Sequence, residues 1–456
     1  MGRRLLRRFA PRNDDIDMVI DSVARELETK IVSGTATVAV IGLGYVGLPL
    51  ALSLVRRGYS VVGVDVDEEK VSALQAGRSF IRDVSADEIR ECLATERLAV
   101  TFNSGALAEA DAVFICVPTP FTPQKEPDTT YVAGAARSIA ANGRAGQLII
   151  LRSTSYPGTT EEVVRPILES RGRRVGADVF LAFAPERIDP GNVHYRTDQI
   201  PVVVGGCDPD STRLAALLLG QIAAKVVPVT SPAAAEMTKL LENVFRNVNI
   251  ALVNQITQLC DRMGLDVWEI VEAAATKPYG FMSFKPGLVG GHCIPVDPYY
   301  LAWKAREHDF HMDFIELSAR VNEAMPFFVV NKLMTALHDN GSHNGHERVV
   351  VLGVAFKKDI DDARSSPALK VIELLKRRKI DVVYHDPFVT RVRINGDMLE
   401  SRPLTQELMR TADCVVILTD HSCFDYERIV QDARMVFDTR NATRNVSTGR
   451  EKIVRL

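Results

Sequence analysis

One stretch near the start of the chain limits its fold more than any other. The apolar run Thr37–Ile41 (TVAVI) passes directly into Gly42-Leu43-Gly44-Tyr45-Val46-Gly47, and a helical pattern then continues through Leu54. A strand that turns on glycines into a helix is the opening of a βαβ unit. The first glycine permits the tight turn and the second lets backbone approach a pyrophosphate. The third lets helix and strand pack closely, with the helix N-terminus aimed at the anion. Asp65 ends the following strand, Val61–Val64. A carboxylate there hydrogen-bonds an adenosine ribose 2′-hydroxyl and repels a 2′-phosphate, so NAD is expected rather than NADP. The expected cofactor set is Gly42, Gly44, Tyr45, Val46, Gly47 and Asp65, with Lys70 beyond them. The alternative is that the glycines form a turn and nothing more.

The same grammar fills most of the chain. Ser60–Asp65, Ala110–Val117, Gln147–Leu151, Phe180–Ala184 and Pro201–Gly205 read as further buried strands between helical patterns. Strands interleaved with helices imply a doubly wound parallel sheet. Pro228 and Pro232 then punctuate the chain, and Ala233–Met263 reads as one long helix. Met237, Leu240, Leu241, Val244, Val248, Ala251 and Leu252 give it an apolar face, which is core in the plainer reading and a subunit interface in the other. From Arg348 the βαβ pattern resumes, with strands expected at Arg348–Val354, Asp381–His385, Cys414–Thr419 and Met435–Asp438. Ala412-Asp413-Cys414-Val415-Val416-Ile417 echoes Ala110-Asp111-Ala112-Val113-Phe114-Ile115 in the first lobe. The leading turn of this second lobe, Gly353–Lys358, lacks the glycine triplet. It should not hold a dinucleotide pyrophosphate, but its lysines suit the phosphates of another nucleotide. The expected fold class is α/β, two Rossmann-like doubly wound domains joined by a long central helix. The expected boundaries are an N-terminal extension at 1–33, an NAD-binding domain at 34–227, a central helical domain at 228–335 and a second Rossmann-like domain at 336–456.

Composition excludes several classes. A chain of 456 residues exceeds the size at which one core stops growing. Its net charge of −3 gives no electrostatic reason to expect nucleic acid as a partner. The seven cysteines are scattered, with no C-x-x-C pair, which suits a reducing cytoplasm and argues against a disulfide framework or a zinc site. No apolar run approaches the roughly 18 residues of a membrane span, so integral membrane association is not expected. The arginines at 3, 4, 7, 8 and 12 lack the apolar stretch of a secretory signal and read as a solvated tail, with surface attachment or a transit segment as alternatives. Between Asp14 and Val32, Ile16, Val19, Ile20, Val23, Leu27 and Ile31 recur at helical spacing.

The chemistry is concentrated in Gly290-Gly291-His292-Cys293-Ile294-Pro295-Val296-Asp297-Pro298. A lone cysteine is usually a small buried hydrophobe. Here two glycines would let a substrate approach the backbone, prolines stiffen the turn, and Asp297 follows four residues on. A free thiol is only a few per cent ionised at pH 7, and half ionisation needs a pKa drop of about 1.5 units, about 2 kcal/mol. One cation or helix N-terminus can supply that, and His292 is a candidate. Lys239 and Asn243, at i,i+4, share a face of the long helix. Together they can stabilise a developing oxyanion, or they form a solvated stripe. Pro118-Thr119, Ser153-Thr154 and Pro185-Glu186-Arg187 stand at predicted strand ends, where ligands collect in open α/β sheets.

Taken together these segments resemble the UDP-sugar 6-dehydrogenases of the UDP-glucose/GDP-mannose dehydrogenase family, over nearly the whole chain from about Thr37. Pro185-Glu186-Arg187 followed by Pro190-Gly191-Asn192 resembles the branch acting on UDP-N-acetylhexosamines, and Asp359–Asp362 and His385-Asp386-Pro387 fit it too. The resemblance implies oxidation of a sugar C6 alcohol to the carboxylate by two NAD. It implies Cys293 as the nucleophile of a thiohemiacetal and then a thioester, Lys239 and Asn243 as oxyanion stabilisers, and Asp297 as an aid to proton transfer through water. Glu186 becomes the base for thioester hydrolysis and Thr119 a positioning hydroxyl near the nicotinamide. Thr154 and Arg364 join the NAD set, and Arg187 joins Glu186 in the substrate set. Lys357 and Arg440 would hold the UDP part, and the loop Phe281, Phe284, Lys285, Gly287 and Gly290 would line the sugar pocket. A homodimer or higher homo-oligomer is implied. Departures are Ser365 for the usual Glu, Gln255 for Glu, and Lys285 and Leu288 for an aromatic residue and a proline. UDP-N-acetylglucosamine is the expected substrate, with UDP-glucose or UDP-N-acetylmannosamine as alternatives. More distant readings are a two-electron β-hydroxyacid-type dehydrogenase and a non-catalytic nucleotide sensor.

Overall fold

The structure, a computed structural model, describes residues 14–81, 84–122, 124–187, 197–291, 294, 296–341 and 347–456; the side chains of 14–21 and Thr197 fall outside that description. It divides into two compact units, Met1–Lys239 and Leu240–Leu456.

The first unit is built on β1 (Thr37–Ile41), β2 (Ser60–Val64), β3 (Leu98–Thr101), β4 (Ala112–Ile115), β5 (Leu148–Leu151), β6 (Phe180–Phe183), β7 (Val202–Gly206) and β8 (Val226–Pro228). Their order in the sheet is β3-β2-β1-β4-β5-β6-β7-β8. The first six run parallel, with Val38 opposite both Val61 and Ala112. β7 then runs antiparallel to β6 and carries β8 with it, so a reversed pair extends the expected parallel sheet. The central strands AVFI, LIIL and FLAF are buried at every position, as parallel strands covered on both faces must be. Strand alternation sorts their side chains into two cores. Val38 and Val40 join Leu48 and Leu52 on one face, and Ala39 and Ile41 join Val132 and Ile139 on the other. Phe114, fully buried in the first core, would cost about 3–5 kcal/mol as Ala. The direction of winding changes between β1 and β4, so ligands belong beyond the carboxyl ends of these two strands.

The helix Asp14–Ser33 is a working part of this unit. Ala24, Leu27 and Ile31 enter the core, Tyr59 Oη donates to the Ile31 carbonyl at 2.7 Å, and Lys30 Nζ lies 3.0 Å from Asp111 Oδ1. The arginine-rich residues before it lie outside the described residues.

The second unit holds β9 (Arg348–Leu352), β10 (Asp381–His385), β11 (Arg391–Ile394), β12 (Asp397–Glu400), β13 (Cys414–Ile417), β14 (Val436–Asp438) and β15 (Ile453–Arg455). Its parallel sheet has the order β10-β9-β13-β14-β15, with the winding change between β9 and β13. β11 and β12 form a hairpin of their own, and this hairpin and β15 were not legible in the sequence. Val349 and Val351 face one core, Val350 and Leu352 the other. The helix Asp313–Asp339 carries Pro326 in its interior.

The helix Pro232–Met263 departs from expectation in which face it buries. Leu240 and Ala251 are buried, but Met237, Leu241 and Leu252 are exposed, together with Phe245, Ile256, Leu259 and Met263. Its buried stripe is mostly polar: Glu236, Lys239, Asn243, Asn247, Asn254 and Thr257. The helix is apolar outward and polar inward. Among the described residues no helix is long and apolar enough to cross a membrane.

Candidate active site

The three glycines after β1 are bare for different reasons. Gly42 has φ +90°, and a Cβ there would meet the Cys116 carbonyl oxygen at 2.6 Å. A Cβ on Gly47 would lie 1.8 Å from the Gly42 oxygen. At Gly44 nothing stands within 4 Å of the Cβ position, so the space before its backbone is open. The helix Gly47–Arg56 starts at Val46 with no side-chain cap, which leaves its N-terminal dipole free of a capping carboxylate. Asp65, nearly buried, accepts the Leu43 N–H at 2.8 Å and the Asp67 N–H at 3.0 Å. A carboxylate has about four acceptor sites, so capacity remains for ribose hydroxyls. These groups fit a dinucleotide. Lys70 is half-buried, 3.5 Å from Asp67 Oδ2 and over the Phe80 ring.

Beyond the ends of β4, β5 and β6 a charged cluster forms. Ser153 Oγ donates to the Val117 carbonyl at 2.7 Å and ties together the loops that carry Thr119 and Thr154, both half-buried. Arg152, 5% exposed, forms an ion pair with Glu186. Glu186 Oε1 also accepts the Arg187 N–H at 2.8 Å, and Lys239 Nζ donates to the Glu186 carbonyl at 2.6 Å. Arg187 itself donates to the Pro201 carbonyl at 2.7 Å. One cation, Arg152, therefore meets the Glu186 carboxylate and a second, Lys239, its backbone carbonyl, so two positive charges converge on one largely buried residue, which suits the stabilisation of negative charge made in a reaction. Burial pushes the neighbouring Cys116 thiol up to about 12, against the pull of Arg152, so this cysteine is no nucleophile.

Sequence reasoning found Glu186, Arg187 and Lys239 here but missed Arg152 and Glu236. Arg152 had a signal, a charge directly after the wholly apolar strand LIIL. Glu236 lies one turn before Lys239. It accepts the Gly158 N–H at 2.6 Å, the Thr160 N–H at 2.9 Å and the Thr160 hydroxyl at 2.7 Å, which fixes the loop after β5. Burial pushes its carboxyl up to about 7, although these hydrogen bonds favour the ion.

In the second unit Asn243 Nδ2 donates to Asp297 Oδ2. Asp297 is buried in the first turn of the helix Asp297–Arg306, where the dipole favours its charge. His292, Cys293 and Pro295 lie outside the described residues, as does Pro190-Gly191-Asn192. Gly290 and Gly291 are bare because protein presses on them: their Cβ positions fall 2.5 Å from Pro367 Cδ and 2.8 Å from the Phe356 ring. This is a packing reason beside the expected one, access for a substrate. A chain of buried amides places the preceding loop. Asn254 pairs with both backbone groups of Gly287, Asn322 links Asn254 to Asn247, and Asn247 ends on Ser318. Phe281 and Lys285 are exposed, and Phe284 lies edge-on to Phe245 at 5.8 Å.

A cleft beyond β9 and β13 is lined by Leu288, Phe356, Pro367, Thr419 and Arg440. Arg440 Nε reaches Asp420 Oδ1 at 3.3 Å, and Lys357 is half-buried on the adjoining turn. Arg364 is exposed and bonds Asp362, with Nη2 to Oδ2 at 2.7 Å. Among the described residues no cluster of His, Cys, Asp and Glu could hold a metal ion.

Three family models match in series: the UDP-glucose/GDP-mannose dehydrogenase NAD binding domain over 36–222, its central domain over 233–324 and its UDP binding domain over 350–445. The chain is 38% identical to UDP-N-acetyl-D-glucosamine 6-dehydrogenase of Pseudomonas aeruginosa, over 77% of this chain and 83% of that one. It is 36% identical to UDP-N-acetyl-D-mannosamine dehydrogenase of Pyrococcus horikoshii, over 90% and 97%. The solved structure of a Pyrococcus horikoshii UDP-D-ManNAc dehydrogenase superposes with TM-score 0.83 at 33% identity, covering 92% of this chain and 98% of that one. A UDP-N-acetyl-mannosamine dehydrogenase from Staphylococcus aureus superposes with TM-score 0.78 at 29% identity, over 92% and 97%.

Proposed function

Since the chain belongs to the UDP-glucose/GDP-mannose dehydrogenase family and is an NAD-dependent nucleotide-sugar dehydrogenase, we propose that it oxidises C6 of UDP-N-acetylglucosamine to the carboxylate. The observation that carries the chemistry is the burial of Lys239 and Asn243 on the polar inner stripe of the long helix, beside Glu186 and Asp297 respectively. NAD, when bound, accepts a hydride from the sugar carbon in each of two rounds. Overall, alcohol, water and two NAD give carboxylate, two NADH and three protons.

The chain's own groups divide the remaining work. The glycine turn with Tyr45 and Val46 takes the pyrophosphate, Asp65 the ribose, and Lys70, Thr154 and Arg364 complete the cofactor contacts. Lys357 and Arg440 hold the UDP phosphates, while Arg187 and the Phe281–Gly290 loop face the sugar. Thr119 positions the C6 hydroxyl. Lys239 and Asn243 hold the oxygen as it gains charge, and Asp297 fixes the Asn243 amide. The Cys293 sulfur bonds the aldehyde carbon, and Glu186 takes a proton from the water that releases the acid.

Purified protein should yield two NADH per sugar consumed, and a yield of one, with aldehyde as the product, would refute the four-electron oxidation. Cys293→Ala should abolish acid formation; unchanged turnover would reject the nucleophile. The likeness to the Pyrococcus horikoshii enzyme favours UDP-N-acetylmannosamine as a second reading. Comparing kcat/KM for the two sugars decides between them.

The outward stripe Leu241, Phe245, Leu252, Ile256 and Leu259 supports a homodimer, because apolar surface on that scale is normally covered. Light scattering should give twice the chain mass, and Leu252→Glu should reduce it to one.

A further inference from the structure

Arg152 is placed as a structural ion pair would not be. Its side chain is 5% exposed, and among the described residues Nε and Nη1 have no hydrogen-bond partner. Leaving a buried donor unmet costs its full desolvation, more when it is charged. A pair kept for stability would satisfy them or be replaced by apolar side chains, often without loss. Native structures tolerate such orphans mainly at working sites. Among the described residues this guanidinium hydrogen-bonds Glu186, through Nη2, at the strand ends where the fold collects ligands.

We propose that Arg152 is a positioning residue for Glu186, acting in the hydrolysis half of the reaction. The inference rests on the reading of Glu186 as base given above. In that step the water oxygen bonds the thioester carbonyl carbon, and the C–S bond breaks with its electrons on sulfur. One water proton goes to Glu186 and the other leaves as the acid ionises. The carboxylate can take that proton only if it keeps a fixed direction towards the water, and the Nη2 contact on Oε2, with the Arg187 N–H on Oε1, fixes its rotation. When Glu186 becomes neutral, the Arg152 charge stays behind as counter-ion for the new carboxylate.

The test mixes holoenzyme with UDP-N-acetylglucosamine and NAD and follows three signals: the first-turnover NADH burst, steady acid release, and the mass of the enzyme. In Arg152→Gln the burst should persist, acid release should fall at least tenfold, and a sugar acyl adduct should accumulate. Arg152→Lys should recover part of the release. In a Glu186→Gln background, Arg152→Gln should add less than twofold. Wild-type release in Arg152→Gln, or a full multiplicative loss in the double variant, would overturn the proposal. An adduct in neither Glu186→Gln nor Arg152→Gln, with acid release slowed in both, would instead fail the thioester reading itself. If Arg152→Gln does not fold, the Arg152→Lys enzyme decides: it must show a partial adduct, and its absence at wild-type release overturns the role.

Discussion

In the first unit the second strand runs out into Asp65, and in the second unit it runs out into Asp386. Each carboxylate accepts an N–H from the turn after the first strand, Leu43 at 2.8 Å and Val354 at 2.7 Å. The correspondence goes further. Gly353, with φ +78°, presses on Thr419 as Gly42 presses on Cys116. Asp111 accepts the N–H of Thr37 and Asp413 that of Arg348, each pinning the start of the first strand to its neighbour. The difference lies in how fully the carboxylate is used. Asp65 accepts two backbone N–H groups and keeps room for hydroxyls. Asp386 accepts Val354, Ala355, Phe388 and Val389 N–H groups and His421 Nε2, and its side chain is wholly buried. Because His421 Nδ1 accepts the Asp359 N–H at 2.9 Å, the network assigns the ring proton to Nε2, donating to Asp386. Ala355 stands where the first unit has open Gly44 and is itself buried. One scaffold therefore leaves acceptor capacity on its acidic residue, and the other uses that capacity on its own loops.

The largest test of this contrast is Asp386→Ala against Asp65→Ala. Losing Asp386 orphans five buried donors, so the second unit should lose at least about 4 kcal/mol or fail to fold. Asp65→Ala orphans two, and should cost about 1–3 kcal/mol while raising the KM for NAD more than tenfold. Urea melts and NAD kinetics check both, and equal stability losses would erase the distinction. Next come the glycines. Gly42→Ala and Gly353→Ala combine a left-handed φ with a close backbone approach and should each cost roughly 2–5 kcal/mol. Gly44→Ala should leave the melting temperature in place and weaken NAD at least tenfold, since among the described residues no atom lies within 4 Å of its Cβ position. A melting temperature lowered as far as in Gly42→Ala would break that reading.

Much of this was legible because it is written in local pattern. The strand–glycine–helix order at 37–54 fixed the first unit, and the faint likeness of 110–115 to 412–417 corresponds to β4 and β13, each beside the first strand of its own sheet. The long helix was legible in extent but not in orientation. Its apolar residues spread around both sides, and periodicity does not say which side is covered. Arg152 and Glu236 were missed for a related reason: their partners, Glu186 and the Gly158–Thr160 turn, are far away in sequence. β15 and the β11–β12 hairpin were missed because they are short and half-exposed, with little apolar pattern to read.

The smallest effect is the one that separates the two units by pH. In the second unit burial would raise the Asp386 carboxyl, but His421 and the backbone N–H groups outweigh it and hold it at about 2. Its native form keeps the charge, so its contribution, about 2 kcal/mol, is present above the ordinary carboxylate range and lost as pH falls from about 4 through 2. In the first unit burial lifts Glu236 to about 7. Between roughly 4.5 and 7 the native state binds the proton that the unfolded chain releases. The contribution, about 3 kcal/mol at most, is present below that window and lost as pH rises through 7. Both tryptophans, Trp268 and Trp303, lie in the second unit, so their fluorescence reports that unit alone. From pH 5 to 8 the urea midpoint seen by far-ultraviolet dichroism should fall while the tryptophan midpoint holds, and Glu236→Gln should flatten the fall. From pH 4 to 2 the tryptophan midpoint should drop in turn. A tryptophan midpoint that slides with the dichroism between pH 5 and 8 would mean the two carboxylates are not governed by their own surroundings, and the contrast between the units would reduce to one of hydrogen-bond count.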